Sequence, residues 1–126
     1  MKGMNGKILR IDLSEKKTKV ERIPEEWMRK YLGGRGLAAR YYYDEVGSQV
    51  DPFSPKNKLI FMTGPLTSVS IFGATKAYIV AKSPLTEHYS VTNAGGYFGA
   101  YLKHAGYDGL IIEGRSEKPV YISIVD

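Results

Sequence analysis

Cysteine is absent from these 126 residues. That excludes disulfides, thiolate zinc sites, a cysteine nucleophile and any cysteine-held iron–sulfur cluster within the chain. Histidine is scarce as well: His88 and His104 are the only two, and no His/Asp/Glu spacing forms a metal cage. Any metal chemistry would therefore have to come from a cofactor or from another polypeptide segment. No apolar run approaches the roughly 20 residues needed to cross a bilayer. Nor does a signal-type hydrophobic segment follow Met1-Lys2-Gly3-Met4-Asn5, so the expectation is a cytoplasmic chain with no membrane contact. Internal repeats and low-complexity linkers are also missing.

What is present is ordinary globular composition, 43% hydrophobic and 25% charged, which is too apolar for disorder. The length suits one domain, residues 1–126, with room for a core. A net charge of +5 favours anionic partners without naming them. Ten tyrosines offer stacking faces for nucleic acid. The basic residues are scattered, however, and most tyrosines fall in core-like patterns, so no nucleic-acid partner is expected.

Residues 6–13 alternate, with Ile8, Arg10 and Asp12 opposite Lys7, Leu9, Ile11 and Leu13; after a polar turn, residues 18–23 return as a second strand. Pro24 with Glu25 and Glu26 starts a helix that Gly33-Gly34 ends. A second helix is predicted from Gly36 or Leu37 to Val46. Strands are predicted over 58–63 and 76–82, with residues 67–75 between them as a functional loop. A short extended piece covers 89–92, a third helix follows Gly95-Gly96 to about Ala105, and strands at 109–113 and 120–125 close the chain. This order lacks the regular alternation of a doubly wound fold. It predicts an α+β domain with a mixed sheet and about three short helices.

The stretch from Thr92 to Gly109 carries the sharpest signal. Asn93-Ala94-Gly95-Gly96 is a polar glycine turn leading into a helix, where backbone amides can approach a ligand closely. Unpaired helix N–H groups then favour an anion such as phosphate. The same residues also suit a plain helix cap, with Asn93 capping and the glycines permitting the bend. Gly33-Gly34-Arg35-Gly36 poses a similar choice between a phosphate loop and a helix-breaking turn; it lacks the Gly-Lys-Ser/Thr ending of a Walker loop. His104, late in its helix, suits the dipole's negative end, and no acid or nucleophile accompanies it for catalysis.

Several segments in order carry a resemblance. They are Asn5-Gly6-Lys7-Ile8-Leu9-Arg10-Ile11-Asp12-Leu13, Gly33-Gly34-Arg35-Gly36-Leu37, Gly64-Pro65-Leu66-Thr67 and Lys82-Ser83-Pro84-Leu85-Thr86. Asn93-Ala94-Gly95-Gly96, Leu102-Lys103-His104-Ala105-Gly106-Tyr107-Asp108-Gly109 and Glu113-Gly114-Arg115-Ser116-Glu117-Lys118-Pro119-Val120-Tyr121 complete the set. Together they resemble the N-terminal domain of the tungsten-containing aldehyde:ferredoxin oxidoreductase family. The resemblance implies a base for a bis-pterin tungsten cofactor (tungstopterin, a bis-molybdopterin) whose two phosphates are bridged by Mg²⁺. It implies that Asn93 offers its backbone carbonyl to that magnesium, and that Ala94, Gly95 and Gly96 present amides to a pterin phosphate. Lys76 falls where the family typically has a cofactor-contacting arginine. Lysine keeps the charge and loses the flat bidentate fork.

The family's reaction oxidises an aldehyde to a carboxylic acid and passes electrons through an iron–sulfur cluster to ferredoxin. The cluster cysteines, the later-domain acid and histidine near the metal, and the second half of the N-terminal domain have no counterpart in this sequence. The expectation is thus a cofactor-facing portion, inactive alone, whose partners are the remaining oxidoreductase domains or a complementary chain, with ferredoxin reached indirectly. An open sheet edge would also permit a homo-oligomer. Two alternatives stand beside it: a free-standing pterin- or phosphate-binding protein, and a structural assembly subunit without redox activity.

Overall fold

The computed structural model describes residues 1–125. The chain opens with a hairpin of β1 (Lys7–Asp12) and β2 (Lys17–Arg22) in the register Lys7↔Arg22 to Asp12↔Lys17. Asp12 shapes its turn by accepting a hydrogen bond from the Glu15 amide at 3.0 Å. Helix α1 (Glu25–Tyr31) begins after Pro24 with two acids in its first turn and ends with Arg29 and Lys30 in its last, both matched to the helix dipole. Helix α2 (Gly34–Glu45) follows at once. Then come β3 (Leu59–Thr63), β4 (Ala77–Lys82), β5 (Tyr89–Ala94), α3 (Phe98–His104) and β6 (Gly109–Glu113).

The six strands form one mixed sheet in the order β2-β1-β6-β3-β4-β5. The β1–β6 pair is parallel and the other pairs are antiparallel. The expected α+β mixed sheet with three helices is therefore observed. The alternation within β1 explains how one strand serves both faces. Ile8 joins Leu37, Ala38, Tyr41, Ile60, Met62, Val80 and Ile111 under α1 and α2. Leu9 and Ile11 point the other way, into a smaller cluster with Leu102 of α3 and Leu110.

Three sequence expectations change. Helix α2 starts at Gly34 rather than at Gly36 or Leu37, because Gly33 serves as its N-cap with φ 101°. The extended piece at 89–92 continues to Ala94, so Asn93 is a strand residue and does not cap α3, whose N-cap is Tyr97. Residues 120–125 form no strand. The places beside β6 are already occupied by β1 and β3, so the tail has no free edge there and its Ile124 packs on the Leu9–Leu102 cluster instead.

Between the hairpin and the end of α2, Arg10 donates to Glu21 at 2.7 Å and to Glu45. Lys58 pairs with Glu45 at 3.1 Å and also with Glu113. Burial alone would raise the Glu45 carboxyl, but the hydrogen bond and charge of Arg10, with Lys58 behind them, outweigh it and hold it below the usual carboxylate range. A carboxyl depressed on folding stabilises above its unfolded pKa of about 4.3, and that stability is lost as pH falls through the folded value. Glu45→Gln should therefore flatten the acid limb of stability below about pH 4.3, measured by urea melts; an unchanged limb would show that this network does not govern it.

Candidate functional site

One end of the sheet gathers the sequence-singled residues. β4 begins there and β5 ends there, with Ala77 opposite Ala94 and Tyr78 opposite Asn93. One step beyond, the same register sets Lys76 across from Gly95. Lys76 is exposed and makes no ion pair among the described residues. Asn93, Gly95 and Gly96 are exposed, and Ala94 is half-buried.

The ladder decides which backbone groups are free. The Ser83 amide donates to the His88 carbonyl at 2.9 Å, which makes that pair a hydrogen-bonded one. Alternation along an antiparallel ladder then directs the amides and carbonyls of Ser90, Thr92 and Ala94 into β4. Those of Tyr89, Val91 and Asn93 face off the open edge. The Asn93 carbonyl is thus available to an outside partner, whereas the Ala94 amide is committed to Ala77. Gly95 and Gly96 amides have no hydrogen-bond partner among the described residues. Gly96 turns the chain toward α3 with φ 77°, a conformation that favours glycine.

The loop 64–76 is tied to this end by polar contacts. The Gly64 amide donates to Thr67 Oγ1 at 3.0 Å, and Thr67 Oγ1 donates onward to the Lys76 carbonyl at 3.2 Å. Behind it, Lys103 of α3 places its buried ammonium on the Gly64 carbonyl at 2.7 Å, on the Gly3 carbonyl, and 3.6 Å from Asp108 Oδ1. Burial lowers the Lys103 pKa, and the nearby Asp108 carboxylate opposes that shift. Asp108 accepts in turn from the Asn5 amide at 3.0 Å and the Gly6 amide at 2.5 Å. Gly99 allows α3 to sit close: a Cβ there would stand 3.1 Å from both Thr67 Cγ2 and the Thr75 carbonyl.

Elsewhere the outcomes are plainer. Gly33 and Gly34 are buried, where added side chains would meet Thr63, Gly64 and Tyr78, so that turn is a packed junction. Arg35 is exposed beside it and near enough to Tyr89 to oppose the upward shift that burial gives the phenol. His104 ends α3 as expected and is exposed. No group of three or more His, Asp or Glu could hold a metal among the described residues. Among the described residues, no helix is long and apolar enough to cross a membrane. Sequence reasoning passed over Thr67, Lys103 and Asp108 as site residues. The spacing Gly99–Lys103, one helical turn, was the available signal, since it puts a lysine on the face whose glycine must pack closely.

Residues 8–126 match the family model described as the aldehyde ferredoxin oxidoreductase N-terminal domain. The whole chain is 48% identical to the tungsten-containing aldehyde ferredoxin oxidoreductase of Pyrococcus horikoshii and 49% identical to that of Pyrococcus furiosus, covering 21% of each. It is 39% identical over 98% of its length to an aliphatic sulfonate oxidoreductase, WOR-like subunit, of Pyrococcus furiosus, of which it covers 20%. Among solved structures, the active site complex BamBC of benzoyl coenzyme A reductase with 1,5 dienoyl-CoA aligns with a TM-score of 0.90 at 33% identity. That alignment covers 92% of this chain and 18% of the other. The chain spans about one fifth of the curated relatives it matches. On sequence, fold and the ordered motifs together, the chain belongs to the aldehyde ferredoxin oxidoreductase family, as its N-terminal domain.

Proposed function

We propose that this chain is the tungstopterin-binding portion of an aldehyde:ferredoxin oxidoreductase, and that it is not competent for the reaction by itself. The observation carrying this reading is the set of unused donors and acceptors at one sheet end: the Gly95 and Gly96 amides, the off-edge Asn93 carbonyl and the unpaired Lys76. These groups fit a phosphate bridged to a hydrated magnesium ion. Amides and an ammonium suit the phosphate oxygens, and a carbonyl suits a hard cation. The register assigns the Ala94 amide to the ladder, so the phosphate contacts on this reading rest mainly on Gly95 and Gly96, with Lys76 as a point charge rather than a fork.

When bound, the tungsten–dithiolene group would supply the two-electron oxidation of an aldehyde to a carboxylic acid. The residues here would bind and orient it. An iron–sulfur cluster leading to ferredoxin would be held by residues outside this sequence, which has no cysteine. The surroundings support completion by further polypeptide. Leu66, Ile71 and Phe72 are exposed on the loop beside Lys76, with Tyr97 and Tyr101 beyond the glycine turn. An apolar rim around a polar site is the kind of surface that another domain covers.

A native mass spectrum of gently purified protein tests the reading. The expected result is a complex carrying pterin and tungsten mass, with or without a larger companion chain. A bare monomer or homodimer would overturn the claim that these residues retain the cofactor. The purified chain alone should also fail to reduce a dye with aldehyde; turnover would sink the prediction that it is incomplete. The same exposed rim favours a second reading, a structural assembly subunit, which predicts a companion chain without cofactor.

A further inference from the structure

We infer that Thr67 is a positioning residue for this site, setting Lys76 against the glycine turn through its hydroxyl, with Lys103 anchoring the far end of the same chain of contacts. The inference rests on the cofactor-site reading for its meaning, but its geometry stands separately. Thr67 is 5% exposed and its single hydroxyl serves two backbone groups at once, accepting from the Gly64 amide and donating to the Lys76 carbonyl. A hydroxyl has exactly this capacity, one donor and two acceptor sites. Gly64 is fixed from the other side by the Lys103 ammonium on its carbonyl. The two ends of the loop 64–76 are thus closed on each other by one side chain and clamped to α3 by another.

The same residue touches the turn's other support. The Thr67 methyl lies against Gly99, in the first turn of α3, which directly follows Gly95-Gly96-Tyr97. The hydroxyl, by holding the Lys76 carbonyl, sets the chain end that the register places across from Gly95, whereas the methyl only fills space against α3. Hydroxyl and methyl have separable jobs, and two conservative substitutions distinguish them. Thr67→Val keeps the shape and removes the hydroxyl; Thr67→Ser keeps the hydroxyl and removes the methyl.

The experiment measures inorganic pyrophosphate binding and backbone amide chemical shifts in the full chain. Thr67→Val should weaken pyrophosphate binding about tenfold and shift the Lys76, Gly95 and Gly96 amides, while Thr67→Ser restores both to within about twofold of the parent. Ala38→Gly, which loosens α2 on the opposite face of the sheet, should lower stability and leave these amides in place. Equal impairment by valine and serine, following stability alone as in Ala38→Gly, would overturn the inference in favour of packing. Unchanged binding and unchanged shifts in Thr67→Val would overturn it outright. If the parent binds no pyrophosphate, the cofactor-site reading loses its support. The amide shifts then decide the positioning role: displaced by valine and restored by serine upholds it, undisturbed by valine ends it. Should Thr67→Val fail to fold, the Thr67→Ser shifts decide, and displaced Lys76, Gly95 and Gly96 amides there would overturn it.

Discussion

Asp108→Ala is expected to cost about 3–5 kcal/mol, the range for leaving a buried charge without its partner. For a domain of this size that is a large share of total stability. The carboxylate is fully buried and serves three donors: the Asn5 and Gly6 amides and, at longer range, the Lys103 ammonium. Its removal leaves two amides unsatisfied and a buried cation uncompensated. Asp108→Asn should also be damaging, since one of its two positions becomes an NH₂ facing an amide donor. The pH dependence identifies the cause. Burial lowers the Lys103 pKa and Asp108 opposes it, so the variant's folded state holds that proton more weakly than the unfolded chain, where lysine titrates near about 10.4. Where the unfolded state binds more protons, stability rises with pH. Urea melts of Asp108→Asn should therefore show stability increasing from neutral pH toward about 10 more steeply than in the parent. A pH-independent loss, or a cost below about 1 kcal/mol, would show that the carboxylate matters only for local turn geometry.

That latch also marks where the sequence stopped being readable. The strands, the three helices and the mixed sheet were legible because period-2 and helical spacing, Pro24 with its acids and the glycine stops all agreed. Lys103 and Asp108 were not, because their partners are distant in the chain: Gly3, Asn5 and Gly6 in the N-terminal turn, and Gly64 just past β3, 39 residues from Lys103. The Gly99–Lys103 spacing hints at close packing without naming those partners. The tail was misread for a related reason. Residues 120–125 have strand composition, but strand formation needs a free neighbour, and β6 is flanked on both sides by β1 and β3. Asn93 shows the reverse case. Its residue type suggested a cap, while the pairing of Tyr78 with Asn93 made it a ladder residue whose carbonyl faces outward. The candidate site residues were legible as a motif; their freedom or commitment to the ladder was legible only in the register.

Gly95→Val should separate the binding and assembly readings more sharply than any other substitution. A Cβ at Gly95 meets nothing within 4 Å, and its backbone does not lie in the left-handed region that Gly96 occupies. A β-branched residue following a strand is well tolerated, so stability should stay within about 0.5 kcal/mol of the parent. Any effect must then arise outside the folded chain. A valine side chain would fill the space through which a phosphate approaches the Gly95 and Gly96 amides. Hydrogen bonds to a charged group contribute roughly 1.5–3 kcal/mol each, so losing one predicts binding weaker by about tenfold to a hundredfold. Tungsten and pterin content of the complex measured in parallel should fall with it. Loss of ligand in a folded chain supports a site whose function is to hold an anionic cofactor by its backbone. Unchanged ligand and unchanged companion content would mean that the turn is structural, because a real phosphate contact at Gly95 leaves no room for that side chain.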